Sequence, residues 1–345
     1  MSKVIFFTKY SIDGPSSRYR TYYYQEYFIK NGIIPEIIPL FYLNYINDYN
    51  YNRINYFKIL ISYFKRIIFI YNNSFNNTFV VIEKELFPYV PFFIEKLFLN
   101  KFINKYSIDY DDAIFDKYKN FLFLKNKHLS LSKYSRFISV GNNWYSEIFF
   151  NFNLFYLPTV LKSNKNLRFN TNNNIPIIVW IGTKSNINYL ENILPVLINI
   201  KNKGILFSLR LIGVKLFHNK LIIENIDWSE NTEYEYLSSS DIGIMPLNDN
   251  IWDKGKCGFK LLQYMNAYLP VVASSVSANI DIVKQGYNGF LAKDDNEWEY
   301  YLTSLLINKT LRNEFGSNGK NLFNQKYSLD IWGNIYSNFL KSNID

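Results

Sequence analysis

The stretch GKCGFKLLQYMNAYLPVVAS, residues 255–274, decides how this chain is expected to fold. It reads as a glycine-rich loop, a helix over residues 259–267, a tight turn and a buried strand over residues 270–273. A helix that leads straight into such a strand is typical of a βαβ unit with parallel strands. Lys256 and Lys260 flank the helix N-terminus, an end that already attracts anions. The pattern suits a pyrophosphate site, and it equally suits an ordinary surface loop with solvated lysines.

Strand and helix patterns alternate on both sides of this stretch. The remaining predicted strands lie at residues 4–8, 33–40, 79–82, 106–109, 137–140, 177–181, 207–212, 221–226, 242–245 and 289–292. The remaining predicted helices lie at residues 16–30, 188–201, 232–239, 280–284, 297–308, 310–326 and 330–342. Two successive alternating halves predict an α/β protein with two doubly wound, Rossmann-like domains facing a cleft. In such sheets, ligands bind beyond the carboxyl ends of the strands.

The domain boundaries follow from composition. A polar run rich in Lys, Asn and Ser, residues 162–174, is the best linker in the chain. The first domain is therefore expected at residues 1–161 together with a returning C-terminal helix at 328–345. The second is expected at residues 175–327.

Composition excludes several classes of protein. One Cys and two His among 345 residues rule out a disulfide framework, a cysteine-cluster zinc site and a histidine-rich metal centre. The net charge is +9, and residues 1–160 carry 19 Lys and Arg against 12 Asp and Glu. A basic half favours an anionic partner: nucleic acid, a phosphorylated small molecule or an acidic membrane surface. A generally lysine-rich proteome would leave the same excess.

Membrane and compartment signals are weak. No run reaches the ~18 uninterrupted apolar residues of a transmembrane helix, and the apolar run at residues 4–7 is too short for a signal peptide. Together with the lone Cys257, this predicts a cytoplasmic protein. Residues 55–71 combine Lys58, Lys65 and Arg66 with large apolar side chains. This segment is expected to be a core helix with a basic outer edge, and that edge could also rest on the inner face of the plasma membrane.

Four motifs in the second half resemble the donor-sugar region of family-4 retaining glycosyltransferases of the GT-B fold. The specific one is KCGFKLLQYMNAYLPVVAS at residues 256–274. DIVKQGYNGFL at 281–291, SDIGIMPL at 240–247 and VWIGT at 179–183 occur in matching order. In the first half, GPSSRYR at residues 14–20 is similar to the G-P-x-S-R-Y-R start of one subgroup. EKELFP, YDDAI and VGN, which begin at residues 83, 110 and 140, also occur in matching order.

The resemblance implies metal-independent transfer of a sugar from a nucleotide sugar, with no cofactor and with retained anomeric configuration. The acceptor would be a saccharide or lipid-linked saccharide in cell-surface polysaccharide biosynthesis. The implied donor contacts are Gly182, Thr183, Lys184, Trp228, Lys256, Gly258, Phe259, Lys260, Gln263, Ser275 and Asn279. Among these, Lys256 and Lys260 would contact the diphosphate, Gln263 the ribose and Trp228 the base. The implied acceptor or phosphate contacts are Gly14, Ser17, Arg18, Arg20 and Glu85.

The chain departs from the family pattern at two places. The family usually carries two glutamates eight positions apart, and here these positions hold Gly255 and Gln263. Glutamine keeps an acceptor for a ribose hydroxyl but loses the charge. The family also often carries a His-Asp pair in its first domain, where this chain has Asp111 and Asp112. We expect these carboxylates either to orient the acceptor and accept its proton, or to cap the next helix.

The two histidines fit no motif. His128 lies in a helical run and His218 follows a strand, so both are expected to be surface or packing residues. Three alternatives to a glycosyltransferase remain: a non-catalytic sugar-binding relative, a GT-B protein with epimerase-like chemistry, and a basic nucleic-acid-binding protein. A dinucleotide oxidoreductase is poorly supported, because no G-x-G-x-x-G follows the first strand.

Overall fold

The computed structural model describes residues 2–102, 105–164 and 173–344. Residues 165–172, most of the predicted linker, lie outside this description. The chain divides into two compact units. The first contains the residues up to Val160, Gly255–Cys257 and the residues from Leu329 onward, and the second contains Leu161–Lys254 and Gly258–Ser328.

The first unit is built on a parallel sheet of six strands in the order β2-β1-β3-β4-β5-β6. Its strands are β1 (Ser2–Thr8), β2 (Ile33–Pro39), β3 (Thr78–Glu83), β4 (Tyr106–Tyr110), β5 (Ile138–Val140) and β6 (Leu154–Tyr156). Its helices from the first half of the chain are α1 (Pro15–Arg20), α2 (Gln25–Lys30), α3 (Tyr45–Asn50), α4 (Tyr56–Asn72), α5 (Phe92–Leu99), α6 (Lys127–Lys133) and α7 (Tyr145–Ile148).

The apolar run of β1 shows why this sheet is covered on both sides. Val4 and Phe6 point into one core, whereas Ile5 and Phe7 point into the other. A strand buried on both faces needs continuous apolar sequence rather than alternation, and β1 has it.

The second unit repeats the plan, with six parallel strands in the order β12-β11-β10-β7-β8-β9. Its strands are β7 (Ile177–Ile181), β8 (Ser208–Ile212), β9 (Ile223–Ile226), β10 (Ile242–Met245), β11 (Val271–Ser274) and β12 (Gly289–Ala292). Its helices are α8 (Ile187–Asn202), α9 (Glu233–Ser238), α10 (Ile251–Lys254), α11 (Phe259–Asn266), α12 (Ala278–Ile282), α13 (Asp295–Ile307) and α14 (Lys309–Lys326). The predicted α/β fold class is confirmed.

The last helix, α15 (Leu329–Ile344), packs in the first unit. Tyr336 on α15 lies edge-on to Tyr24 and to Phe28, with ring centroids 5.3 Å and 5.5 Å apart. Gly333 allows this approach, because a Cβ at that position would lie 2.3 Å from the ring of Tyr27. The return of the chain to its first unit follows the predicted fold class.

Two elements differ from the sequence prediction. The helix expected over residues 16–30 is broken into α1, a 3₁₀ turn over Tyr22–Tyr24 and α2, because Thr21 leaves the helical region at φ −133°. Strand β6 was not predicted at all. Phe155 in β6 stacks on Phe339 of α15 with ring centroids 3.7 Å apart, a long-range contact that no local pattern shows.

Candidate functional site

In the second unit, Gly258 sets the start of α11. Its φ is +67°, and a Cβ there would lie 2.3 Å from Cδ1 of Ile282, so glycine is required both for conformation and for space. Phe259 begins the helix directly after it. The predicted glycine-rich loop therefore has a structural cause: it lets α11 start against α12.

Lys260 lies beside the carboxyl end of β7. Its ammonium stands 5.2 Å from the ring centroid of Trp180, a fully buried residue of that strand. Gly182 follows β7, and its missing side chain leaves room for the Trp180 ring. Thr183 and Lys184 come next and are exposed. The sheet edge thus brings together four predicted donor-binding residues of this unit.

Gln263 lies one turn after Lys260 on α11, and its side-chain amide Nε2 donates to Oε1 of Glu233 at 2.6 Å. The indole Nε1 of Trp228 donates to the other oxygen of Glu233 at 2.5 Å. Glu233, which was not singled out from the sequence, therefore joins two predicted donor contacts. Glu233 and Gln263 line a cavity of about 350 Å³ in the same unit. Its lining residues are Leu161, Lys162, Ser163, Asn164, Glu230, Glu233, Tyr234, Leu237, Gln263 and Asn266.

The loop between β11 and α12 carries the last two predicted donor contacts. The N–H groups of Ser275 and Asn279 donate to the carbonyls of Ala292 and Val276 at 2.9 Å and 3.0 Å. The side chain of Asn279 is fully buried and donates to the Ser274 carbonyl. These contacts show that Asn279 shapes the loop, and its contact with a donor stays a prediction.

In the first unit, a charged cluster lies at the carboxyl ends of β3 and β4. The ammonium of Lys84 stands 2.7 Å from Oδ1 of Asp111 and 3.2 Å from Oδ2 of Asp112. It also donates to the Ser16 hydroxyl, and that hydroxyl donates to Asp111. Lys84 adopts a left-handed backbone conformation at φ +64° and is buried. A non-glycine residue in this conformation is costly, so surrounding contacts hold it there.

The electrostatics separate the two candidate catalytic carboxylates. Burial alone would raise the pKa of Asp111, but the charges of Lys84 and Arg20 outweigh it and lower that pKa. Burial alone would lower the pKa of Lys84, but the negative charges of Asp111 and Asp112 outweigh it and raise that pKa. Asp111 is therefore a tightly paired carboxylate and a weak base. Asp112 keeps 35% of its side chain exposed against 11% for Asp111, so it is the more accessible of the two.

Three of the predicted acceptor contacts are buried and form bonds within the first unit. The guanidinium of Arg20 donates to both carboxylate oxygens of Asp109, at 2.5 Å each. The Ser17 hydroxyl donates to Glu83. Glu85 pairs with Lys127 at 2.6 Å. Ser17, Arg20 and Glu85 therefore each stabilise the sheet edge through internal bonds, and their contact with a ligand stays a prediction.

The other two predicted acceptor residues lie in the same segment. Gly14 precedes α1, and a Cβ there would lie 2.2 Å from Cβ of Tyr10. Arg18 packs over Tyr19, with its guanidinium 5.0 Å from the ring centroid. Arg18 is also largely buried, so neither it nor Arg20 is a solvent-exposed helix residue.

The segment Gly255–Cys257, placed in the second domain by the sequence analysis, is bound in the first unit instead. Asn142 donates to the Lys256 carbonyl at 2.8 Å, and the Tyr145 hydroxyl donates to the Gly255 carbonyl at 3.0 Å. A Cβ on Gly255 would lie 2.4 Å from the backbone nitrogen of Ala113. Any side chain at this position would therefore require the backbone around Ala113 to move.

Lys127 is the centre of a second buried network that the sequence did not reveal. Its ammonium lies 2.6 Å from Glu85 and 2.8 Å from Glu95. Burial raises the pKa of Glu95 to about 7, because one ammonium cannot fully compensate two carboxylates. His128 is also buried, bonds to the Tyr110 hydroxyl at 2.9 Å and has a pKa lowered to about 4 by burial. It is a packing residue, while His218 is half-buried.

Among the described residues, no three His, Cys, Asp or Glu side chains come together in a group that could hold a metal ion. None of the helices in the described ranges is long and apolar enough to cross a membrane.

Comparison with known proteins adds a family model. Residues 165–322 match the model for glycosyl transferases group 1. No match is found among curated proteins. The matched range contains α11, Lys260, Gln263 and Glu233, so the candidate donor residues of the second unit lie within this domain.

Solved structures share the fold of this chain over 81% to 99% of its length. The sucrose-phosphate synthase of Thermosynechococcus elongatus is 11% identical, with 99% of each chain covered and a TM-score of 0.72. HepE of Anabaena, solved with UDP and glucose, is 10% identical, with 99% of this chain and 100% of that chain covered and a TM-score of 0.70. TarM of S. aureus is 13% identical over 81% of this chain, with a TM-score of 0.59, and this chain spans 59% of its length. The fold is that of GT-B glycosyltransferases, and the match and the fold together support a glycosyltransferase.

Proposed function

We propose that this protein is a retaining, metal-independent glycosyltransferase of family 4, in the subgroup with the G-P-x-S-R-Y-R start. It moves a sugar from a nucleotide-sugar donor to a saccharide or lipid-linked saccharide acceptor in cell-surface polysaccharide biosynthesis. It works in the cytoplasm, at the inner face of the plasma membrane. The observation that carries the proposal is the grouping of Lys260, Gln263, Glu233 and Trp228 within the glycosyl transferases group 1 match.

Donor binding rests on charge and hydrogen bonding in the second unit. The leaving diphosphate needs its negative charge neutralised, and Lys260 together with the N-terminus of α11 supplies positive potential without an ion. The ribose hydroxyls would be bound by the Gln263–Glu233 pair, in which the carboxylate supplies the charged acceptor that Gln263 lacks. Trp228 would lie against the base. UDP or a UDP-sugar is the first ligand to test, because HepE was solved with UDP and glucose.

Acceptor activation is assigned to the first unit. Asp112 is the more exposed carboxylate of the Lys84 cluster and would accept the proton of the attacking hydroxyl. Asp111, held by Lys84 and Ser16, would keep Asp112 and its surroundings in place. Retention of configuration follows the family resemblance and is tested by the anomeric form of the product.

A second candidate is a relative that binds donor without turnover, favoured by Gly255 and Gln263 where the family has glutamates. Thermal-shift screening against UDP, GDP, CMP and their sugars tests binding first. A nucleotide at 100 times its Kd is expected to add about 2.7 kcal/mol of stability. Release of nucleoside diphosphate in the presence of candidate acceptors then separates an enzyme from a binding protein. No response to any nucleotide would contradict both.

A further inference from the structure

Helix α4 is apolar on its outer side as well as its inner side. Its inward positions pack into the core that contains Ile5 and Phe7. Buried Arg66 donates to the carbonyls of Thr8, Ile38 and Leu86. Arg66 therefore anchors α4 and does not belong to a basic outer edge, a correction to the sequence analysis. The outward apolar residues recur every three or four positions: Phe57, Leu60, Ile61, Phe64, Ile68 and Tyr71. A helix that is apolar all round is expected only where both sides are covered.

Helix α5 continues this surface. It lies beside α4, since the ammonium of Lys101 just after α5 donates to the carbonyls of Ile70 and Tyr71 at the end of α4. Both helices pack on the same core, so their outward sides face the same way. On α5 the exposed side chains are Phe93, Ile94 and Leu97. We call the exposed apolar residues of α4 and α5 together the outer face.

The charge on this part of the chain has one sign. Between residues 49 and 108 the acidic residues are Glu83, Glu85 and Glu95, and all three are buried. The exposed charges of the described residues in this range are basic: Arg53, Lys58, Lys65, Lys101 and Lys105. A large exposed apolar surface surrounded by lysines and lacking exposed acids complements an anionic lipid surface.

The position of the outer face relative to the candidate acceptor residues is also defined. Helix α4 begins at the end of the sheet where β1, β3 and β4 finish, the end that carries Lys84, Asp111 and Asp112. Phe121, Leu122 and Phe123 are exposed in the segment that leads from this same end into α6. An apolar surface that reaches the acceptor end of the sheet suits an acceptor held in lipid.

We propose that the outer face lies on a bilayer containing anionic phospholipid, with Phe57, Leu60, Phe64 and Phe93 entering the interface and Lys58 and Lys65 contacting the headgroups. This proposal names the surface that makes the membrane contact given under the proposed function. It rests on the proposed function only for the claim that the acceptor is lipid-linked. Binding needs two contributions: apolar burial, which is independent of lipid charge, and lysine attraction, which requires anionic lipid and weakens with salt.

The test is flotation of the full chain with vesicles of phosphatidylcholine, with and without 30% phosphatidylglycerol (about one anionic lipid in three). Leu60→Gln/Phe64→Gln removes apolar contact and is expected to weaken binding to the anionic vesicles about tenfold or more. Lys58→Gln/Lys65→Gln is expected to weaken it about thirtyfold on anionic vesicles, with little effect on neutral ones. Phe217→Gln/Ile307→Gln, which removes two exposed apolar residues of the second unit, is the matched control and should bind like the wild type.

Two readouts separate the possible failures. Light scattering reports whether the outer face instead joins two copies of the chain. The proposal would be overturned if the wild type forms a stable dimer, Leu60→Gln/Phe64→Gln dissociates that dimer, and no vesicle binding is seen. Thermal shift with nucleotide checks that the variants are folded and reports donor binding separately. Vesicle binding without any nucleotide response would sustain the membrane proposal and contradict the glycosyltransferase. Binding that is equal for all three variants would refute the assignment of the face.

Discussion

The substitution Gln263→Glu would restore the residue that the family usually carries, yet we expect it to damage this protein. In the structure, the Gln263 amide donates to Glu233 at 2.6 Å. A carboxylate at position 263 cannot donate, and its oxygen would face another carboxylate across the same short distance. Asn266→Asp makes the same amide-to-carboxylate change beside the opposite charge at a matched site one turn later on α11, where the ammonium of Lys320 donates to the side-chain oxygen Oδ1 of Asn266 at 2.7 Å.

The size of the effect follows from two contributions. Two unit charges about 4 Å apart near a protein surface repel by about 4 kcal/mol. A lost hydrogen bond to a charged group costs about 1.5–3 kcal/mol. Water and side-chain rotation relieve part of this, because Glu233 is only half-buried. We expect a net loss of about 2–4 kcal/mol, which lowers the melting temperature by roughly 5–15 °C.

A double-mutant cycle measured by calorimetry checks the reasoning. Glu233→Gln/Gln263→Glu places the carboxylate on α11 and the amide on α9, and should recover most of the stability lost by Gln263→Glu alone. Asn266→Asp gains an ion pair with Lys320 but loses the hydrogen bond from Nδ2 to the Lys162 carbonyl, so it should stay within about 1 kcal/mol of wild type. The same order is expected for the affinity of the donor nucleotide. An additive cycle, or a Gln263→Glu variant as stable as the wild type, would refute the pairing with Glu233.

Four further outcomes are expected. Lys260→Ala should lower kcat/KM by several-fold to about 10³-fold, with an unchanged melting temperature, and chelating agents should leave turnover intact in the same assay. Lys84→Met should cost about 3–5 kcal/mol in urea unfolding, because it leaves the Asp111 carboxylate buried without its cation, and Lys84→Met/Asp111→Asn should recover part of that loss. Glu95 has a folded pKa of about 7 against 4.5 for the ordinary group, so its contribution to stability falls as pH rises between those values. Glu95→Gln should therefore become more stable relative to the wild type by about 3 kcal/mol between pH 4.5 and 7, and parallel pH profiles would contradict this.

The second sheet was the part most accessible from sequence. Strands Ile177–Ile181, Ile242–Met245 and Gly289–Ala292 have the predicted bounds. The first two are apolar runs ended by a glycine or a proline, and the third begins at a glycine. Such strands are short, largely buried and bounded by residues that interrupt a strand, so the local pattern contains nearly all the information needed.

The candidate site was less accessible, because side-chain partners are set by contacts distant in sequence. Arg20 looked like a phosphate ligand after a glycine-proline loop, but Asp109, 89 positions away, holds it in the interior. Glu233 carried no signal beyond a common acidic first turn, although it connects Trp228 and Gln263. The role of Lys84 was not predictable, because nothing in the sequence indicates its left-handed backbone conformation or its spatial contact with Asp111 and Asp112.

Position 84 has a consequence for how this chain can vary. Its backbone conformation is one that glycine adopts at no cost, whereas its ammonium is required by Asp111 and Asp112. A glycine would relieve the backbone strain but leave two carboxylates unpaired. Arginine would keep both the strain and the charge. Any other side chain would keep the strain and lose the charge. In a saturation library selected for folding, position 84 should therefore tolerate very few residues, and replacements should survive mainly where Asp111 has changed with them.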